Sequence, residues 1–293
     1  MEYLYLVLLI AASSGQSVFS KAYSVKSNVD KQNSSLVFNF YYSALIAVFT
    51  LCIAGFRMNP SPLTWLFAAV AGITATLYNI GIVNAANSGP YPVYAITSIF
   101  GGLLAPVLLE FFVFKVRISV TGYIGTALMM LAIFLMSGAA EKSEKLSRRF
   151  ILNCLLIFVS NALFGIALVL QIRLSERADG ERSEFVFFAY LIAAVLSALI
   201  IVMKNRKKTL SVMKLNLLPS VFTTGAAASA TLSRYMSLIC IQIFGATIST
   251  PVANGGVLLV VAVLSYLIFK DKQTKIQIAG DALAIVSIIL ISL

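Results

Sequence analysis

"FKVRISVTGYIGTALMMLAIFLMS" (residues 114–137) and "FKDKQTKIQIAGDALAIVSIILIS" (residues 269–292) are two versions of one pattern. Phe114 and Lys115 align with Phe269 and Lys270, Gly125 with Gly280, and Ala127 and Leu128 with Ala282 and Leu283. Carried upstream, the same spacing sets Thr76 and Leu77 against Thr231 and Leu232, and Gly101 against Gly256. One shift serving three apolar runs is the signature of an internal duplication.

Working outward, runs of similar length fill the chain, each able to cross about 30 Å of hydrocarbon as a helix. They predict spans at 3–23, 35–56, 63–86, 91–114, 118–138, 150–173, 184–203, 216–241, 244–269 and 274–292. The loop "GAAEKSEKLSRR" divides them into five and five, giving repeats over residues 1–140 and 148–293. An odd number of spans per repeat turns the second copy over relative to the first, an arrangement common in transporters. The predicted fold is therefore an all-α integral membrane protein with ten transmembrane helices as two inverted five-helix repeats.

Composition agrees. Of 293 residues, 60% are hydrophobic and 11% charged, whereas a water-exposed surface normally accompanies about 25% charge. The first run, "YLYLVLLIAASSGQSVFSKAY", lacks a preceding basic residue and a small-residue cleavage site, so a retained span is expected. Histidine is absent and Cys52, Cys154 and Cys240 lie singly in separate runs. That pattern excludes the usual zinc spacings and a histidine-based triad, and no metal, cofactor or disulfide is expected.

The net charge of +11 reports topology rather than nucleic-acid binding. Lys21, Lys26, Lys31, Lys142, Lys145, Arg148, Arg149, Lys204, Arg206, Lys207, Lys208, Lys214, Lys270, Lys272 and Lys275 follow odd-numbered spans. Only Arg57, Lys115, Arg117, Arg173, Arg177 and Arg182 follow even ones. Cytoplasmic connections carry the basic excess, which predicts both termini outside the cytoplasmic (plasma) membrane.

These halves resemble the drug/metabolite transporter superfamily in its ten-helix EamA-like branch, whose repeats each end in a glycine-containing fifth helix after a short loop with an acidic residue. Asp271, nine positions before Gly280, matches; Val116 occupies the equivalent place in the first half. The resemblance covers nearly the whole chain and implies the fold and transport, with export the expected direction. Many ten-helix relatives keep their termini in the cytoplasm, the reverse of the orientation read from the charges.

Candidate site residues fall in matching places of the two halves. "NSGPYPVYAITSIFGG" and "FGATISTPVANGG" open the fourth and ninth spans. Proline and glycine there free backbone polar groups at mid-membrane, with Tyr91, Tyr94, Thr250 and Asn254 beside them. Asn79, Asn84 and Asn87 bring amides to the third span, and Tyr78 and Tyr235 lie within two residues of corresponding places on the third and eighth spans. Aromatic and amide groups together suit an amphipathic organic solute. Ala226, Ala230, Ser233 and Ser237 recur at helical spacing on the eighth span, which predicts close approach of a neighbouring helix. Gly101, Gly102, Gly255 and Gly256 predict the same where the repeats meet.

Ionisable residues within spans are Glu110, Arg234 and Asp281. Each costs about 2.5 to 3.5 kcal/mol at a helix centre on insertion scales, so each is expected to face protein or water. Asp281 is a candidate proton carrier or a residue reaching the cytoplasmic headgroups; Glu110 is a candidate partner of Lys115 and Arg117. Similar depth predicts that Arg234 pairs with Glu110 and not with Asp281. The pair would act as an outer gate, or the guanidinium would exchange Glu110 for a substrate's carboxylate or phosphate.

The leading functional expectation is a secondary active transporter exporting a small organic metabolite or drug, not an enzyme. Proton or ion exchange would drive it, since no ATP-binding P-loop is present. Its partners are the solute and the lipid bilayer, and no oligomer is required. A non-transporting receptor or assembly partner, and a lipid-modifying membrane enzyme, remain open alternatives.

Overall fold

The structure, a computed structural model, describes residues 2–27, 29, 31–86, 91–116, 119–136, 147–175, 177, 179, 181–205, 209–264, 267 and 274–292. Ten long helices carry the chain: α1 (Glu2–Lys26), α2 (Lys31–Ile53), α3 (Pro62–Ala86), α4 (Tyr91–Phe112), α5 (Val120–Met136), α6 (Arg148–Leu174), α7 (Arg182–Asn205), α9 (Leu217–Phe244), α10 (Ala246–Leu264) and α11 (Lys275–Ser292). A single turn, α8 (Thr209–Val212), lies between α7 and α9 and was not expected from the apolar pattern. Each long helix falls on one predicted span. Among the described residues there is no strand.

Helix ends follow local chemistry. Pro62 opens α3 at a position where its missing N–H is not needed. The Ser147 hydroxyl accepts from the Phe150 amide and caps α6. Gly245, at φ 76°, separates α9 from α10 with no intervening loop. That backbone turn suits glycine, and it leaves α9 longer at its C-terminal end than the apolar run predicts.

Among the described residues, five helical stretches are long and apolar enough to cross a membrane: Glu2–Lys26, Asn33–Ile53, Pro62–Ile82, Arg148–Leu174 and Arg182–Asn205. Shorter apolar stretches occupy Thr97–Phe112, Val120–Leu135 and Ala246–Val261. Their outward faces are also apolar: Ile151, Leu152, Leu155, Val159 and Leu163 are exposed along α6, and Leu191, Val195, Leu199 and Val202 along α7. A surface of this kind is compatible with a multi-pass membrane protein, for which lipid takes the place of water.

Packing crosses between the halves everywhere. α1 runs along α9, α3 along α6, α2 along α7, α5 along α11, and α4 and α10 lean on α6 and α1. Small residues allow this approach. Ala226, Ala227 and Ala230 of α9 are fully buried, and Ser233 bonds Ser13 of α1 at 2.6 Å. The glycines expected where the repeats meet do lie there. A Cβ on Gly101 would stand 2.5 Å from the Phe158 carbonyl oxygen of α6, and one on Gly256 2.5 Å from Ile10 of α1. One on Gly102 would meet the Asn161 amide of α6, and one on Gly255 would meet Met129 of α5.

Candidate functional site

A cavity of about 630 Å³ lies at the centre of the bundle, with walls from α1, α2, α3, α4, α6, α7, α9 and α10. Its lining is polar and aromatic. α3 contributes Tyr78 and Asn79, α4 contributes Tyr94 and Ser98, and α10 contributes Thr250 and Asn254. The lining runs from Leu9 to Ser20 on α1, from Ala75 to Ile82 on α3, from Tyr94 to Pro106 on α4, from Ser233 to Ile241 on α9 and from Ser249 to Leu258 on α10. α3 thus lines the cavity with the half nearest the α3–α4 connection, and α9 with the half nearest the α9–α10 junction.

Hydrogen bonds fix the walls. The Asn79 amide donates to Asn39 Oδ1 at 2.6 Å, and the Asn39 amide donates to Ser197 at 2.7 Å, joining α3, α2 and α7. Tyr78 and Ser98 share a bond of 2.7 Å. The Asn161 amide of α6 donates to the Ser98 carbonyl of α4 at 2.6 Å. About two turns along α4 from Ser98, Pro106 lacks the N–H that would bond the Gly102 carbonyl, and its ring packs where Gly165 leaves room for it. α4 is thereby held closely against α6, with the Pro106 ring over Gly165.

Arg234 lines the cavity from α9. Its Nε donates to the Tyr190 hydroxyl at 2.8 Å, and its guanidinium lies 5.2 Å from the centre of the Phe164 ring. Tyr42, edge-on to Tyr190 at 6.1 Å, interacts with the same guanidinium. This arrangement corrects the expected Arg234–Glu110 pair. Counted from each helix midpoint at 1.5 Å per residue, Arg234 lies roughly 5 Å toward the even-connection end and Glu110 roughly 13 Å. The two differ in depth because α4 stops at Phe112, which leaves Glu110 in its last turn, while α9 continues to Phe244.

Glu110 is instead fully buried in a different cluster. Arg173 donates to its Oε1 from Nε at 3.1 Å and from Nη2 at 2.7 Å. The Thr247 amide, in the first turn of α10, donates to its Oε2 at 3.0 Å. A Cβ on Gly245 would fall 2.8 Å from that oxygen, so the glycine both makes the turn and admits the carboxylate. One carboxylate thus joins α4, α6 and the α9–α10 junction. Lys115, one expected partner, is not among the groups bonded to it, and Arg117, the other, lies outside the described residues.

A second cluster closes the same end. Arg177 meets Glu181 at 3.2 Å and Glu184 at 3.3 Å, and donates to the Asn59 carbonyl at 2.7 Å. Glu181 accepts from the Ser61 amide at 3.0 Å, the Ser61 hydroxyl at 2.9 Å and the Thr64 hydroxyl. Thr64 in turn accepts from Gln171 at 2.8 Å. Burial pushes the Glu181 carboxyl up, but the bonds from Thr64 and Ser61 and the Arg177 charge outweigh it, holding the group below its ordinary range. The connection between α6 and α7 is thereby fastened to the one between α2 and α3.

Of the predicted site residues, the structure brings Tyr78, Asn79, Tyr94, Arg234, Thr250 and Asn254 to the cavity wall. Tyr235 points elsewhere, its hydroxyl donating to Ser183 at 2.5 Å. One residue beyond Arg234 on a helix is rotated by about 100°, which here turns Tyr235 toward α7 and away from the cavity. Neither Glu110 nor Asp281 lines the cavity; Asp281 sits on α11, which packs along α5. The side chain of Tyr91 and the whole of Asp271 lie outside the described residues. Sequence reasoning missed Asn39, Asn161, Tyr42, Tyr190 and Arg173. The two asparagines carried a usable signal, an amide inside an apolar run, whereas Arg173 was indistinguishable from a connection charge.

No family model matches the chain, and no curated protein matches it. A solved structure described as "Crystal structure of protein" is similar over 99% of this chain and 95% of its own, with a TM-score of 0.70 and 13% sequence identity. At that identity the likeness concerns the fold: the whole ten-helix arrangement has a solved counterpart of nearly the same extent.

Proposed function

We propose that the chain is a secondary active transporter that exports a small organic metabolite or drug across the cytoplasmic membrane, built as ten spans in two inverted five-helix repeats of the EamA-like kind. The observation that carries this reading is the central polar cavity, with walls from both halves and ionic clusters fastening one end of the bundle. A solute site between repeats, with one end held shut, is what alternating access requires.

The packing supports the duplication. Exchanging the halves turns the α1–α9 pairing into α6–α3 and the α4–α6 pairing into α10–α1, and returns α2–α7 and α5–α11 to themselves. In the orientation read from the basic connections, the fastened end is outside. Proton or ion exchange is the proposed drive.

Purified full-length protein in sealed vesicles, preloaded with unlabelled amino acids, nucleobases, amines or organic acids, should give saturable counterflow of at least one labelled class. Counterflow no greater than in protein-free vesicles for every class would refute transport. A reporter active only in the cytoplasm, fused at Leu293, should be silent; activity there reverses the proposed orientation.

A further inference from the structure

Arg234 is the one charged side chain among the described residues lining the cavity. A guanidinium has five N–H donors and keeps its proton throughout the accessible pH range. Tyr190 occupies Nε, Tyr42 lies beside the fork, and Phe164 offers its ring face. These neighbours hold the group in place without neutralising it. Among the described residues no carboxylate comes within ion-pair distance, and Glu110, the acidic residue with the best prior claim, is committed to Arg173 and Thr247. A permanent charge in a low-dielectric interior calls for an opposite charge, and here the cavity is the direction from which one can come.

The space is too large for a bare inorganic ion. At about 30 Å³ per water, 630 Å³ corresponds to roughly twenty water molecules, and the tyrosines and Phe164 in its wall offer apolar faces to a solute body. We propose that the cavity binds a small organic anion, its carboxylate or phosphate oxygens held by Arg234 and its apolar body against these rings. The proposal deepens the transport reading and rests on it only for the steps after binding.

Thermal unfolding of the purified full chain, with indole-3-acetate, phenyl phosphate, indole-3-acetamide, tryptamine or chloride as separate additions, tests the site. At least one of the two organic anions should raise the melting temperature in a saturable way, and which one does so distinguishes carboxylate from phosphate; the amide and the amine should not. Arg234→Gln should weaken that binding about ten- to hundred-fold, the loss expected for a hydrogen-bonded ion pair. Arg234→Lys, which keeps the charge without the fork, should weaken it less, and serves as the deciding variant if Arg234→Gln does not fold. No shift with either organic anion, an equal shift with chloride, or wild-type anion affinity in the folded Arg234 variant overturns the proposal. Vesicle counterflow of the same probes separates the two readings. Arg234-dependent binding without flux refutes transport and keeps the site, whereas flux of neutral or cationic probes indifferent to Arg234→Gln refutes the site and keeps transport.

Discussion

Replacing Glu110 by glutamine tests the cluster that joins α4, α6 and α10. The glutamine carbonyl still accepts the Thr247 amide, but the negative charge that receives two Arg173 donors is gone. Charge-assisted bonds contribute about 1.5 to 3 kcal/mol. Glu110 is fully buried while the Arg173 side chain is 29% exposed, so water recovers part of the loss on the arginine side and Glu110→Gln should cost about 2 kcal/mol. Arg173→Gln should cost more, about 3 kcal/mol, because it strands a buried carboxylate. The double variant should then be more stable than the sum of the single effects predicts, with a coupling of about 1.5 to 3 kcal/mol, read from unfolding in mixed micelles with rising denaturing detergent. Glu110→Gln combined with Arg234→Gln should be additive within about 0.5 kcal/mol. Additivity for Arg173, or a coupling for Arg234 of the size expected for Arg173, would refute the assignment of partners and restore the pairing that depth alone predicts.

Gly101→Ala should destabilise more than Gly256→Ala, because the new methyl meets a backbone carbonyl in the first case and the movable end of Ile10 in the second. Costs of about 1 to 3 kcal/mol are typical of such overpacking, and melting temperatures compared with the exposed Ile289→Ala control measure them; equal melting temperatures for the two glycine variants would count against the close α4–α6 approach. Because the folded Glu181 carboxyl titrates below its ordinary value, its contribution is fully present above the unfolded carboxylate pKa of about 4.3 and is lost as pH falls through the lower folded value. Glu181→Gln should flatten that acid limb in a stability series from neutral pH downward, and an unchanged limb would remove Glu181 from it. If Asp281 exchanges the proton, Asp281→Asn should abolish accumulation driven by a pH gradient while probe binding at the cavity survives, and accumulation at the wild-type rate would leave Asp281 the role of reaching the headgroups.

The number, type and approximate limits of the long helices were legible in the sequence because an apolar run long enough to cross a bilayer satisfies its own backbone as a helix whatever its neighbours. Matching glycines, Gly101 and Gly256, were legible for the same reason: close approach demands the absence of a side chain, and that absence is written in the residue itself. Partnership is different. Glu110 had Arg234, Lys115 and Arg117 as plausible partners on spacing and depth, yet Arg173 holds it, because α4 ends two residues later and the Gly245 turn brings the α10 amides to the same oxygens. Tyr235 and Arg234 are adjacent in sequence and face different surroundings, since rotation about α9 sends one to Ser183 and the other to the cavity. Asn39 and Asn161 read as isolated amides until α7 and α4 come alongside to receive them. A span records in its own residues whether it becomes a helix, while the facing of each polar group depends on where helices distant in sequence stop, turn and touch, and that is decided only when the ten are packed.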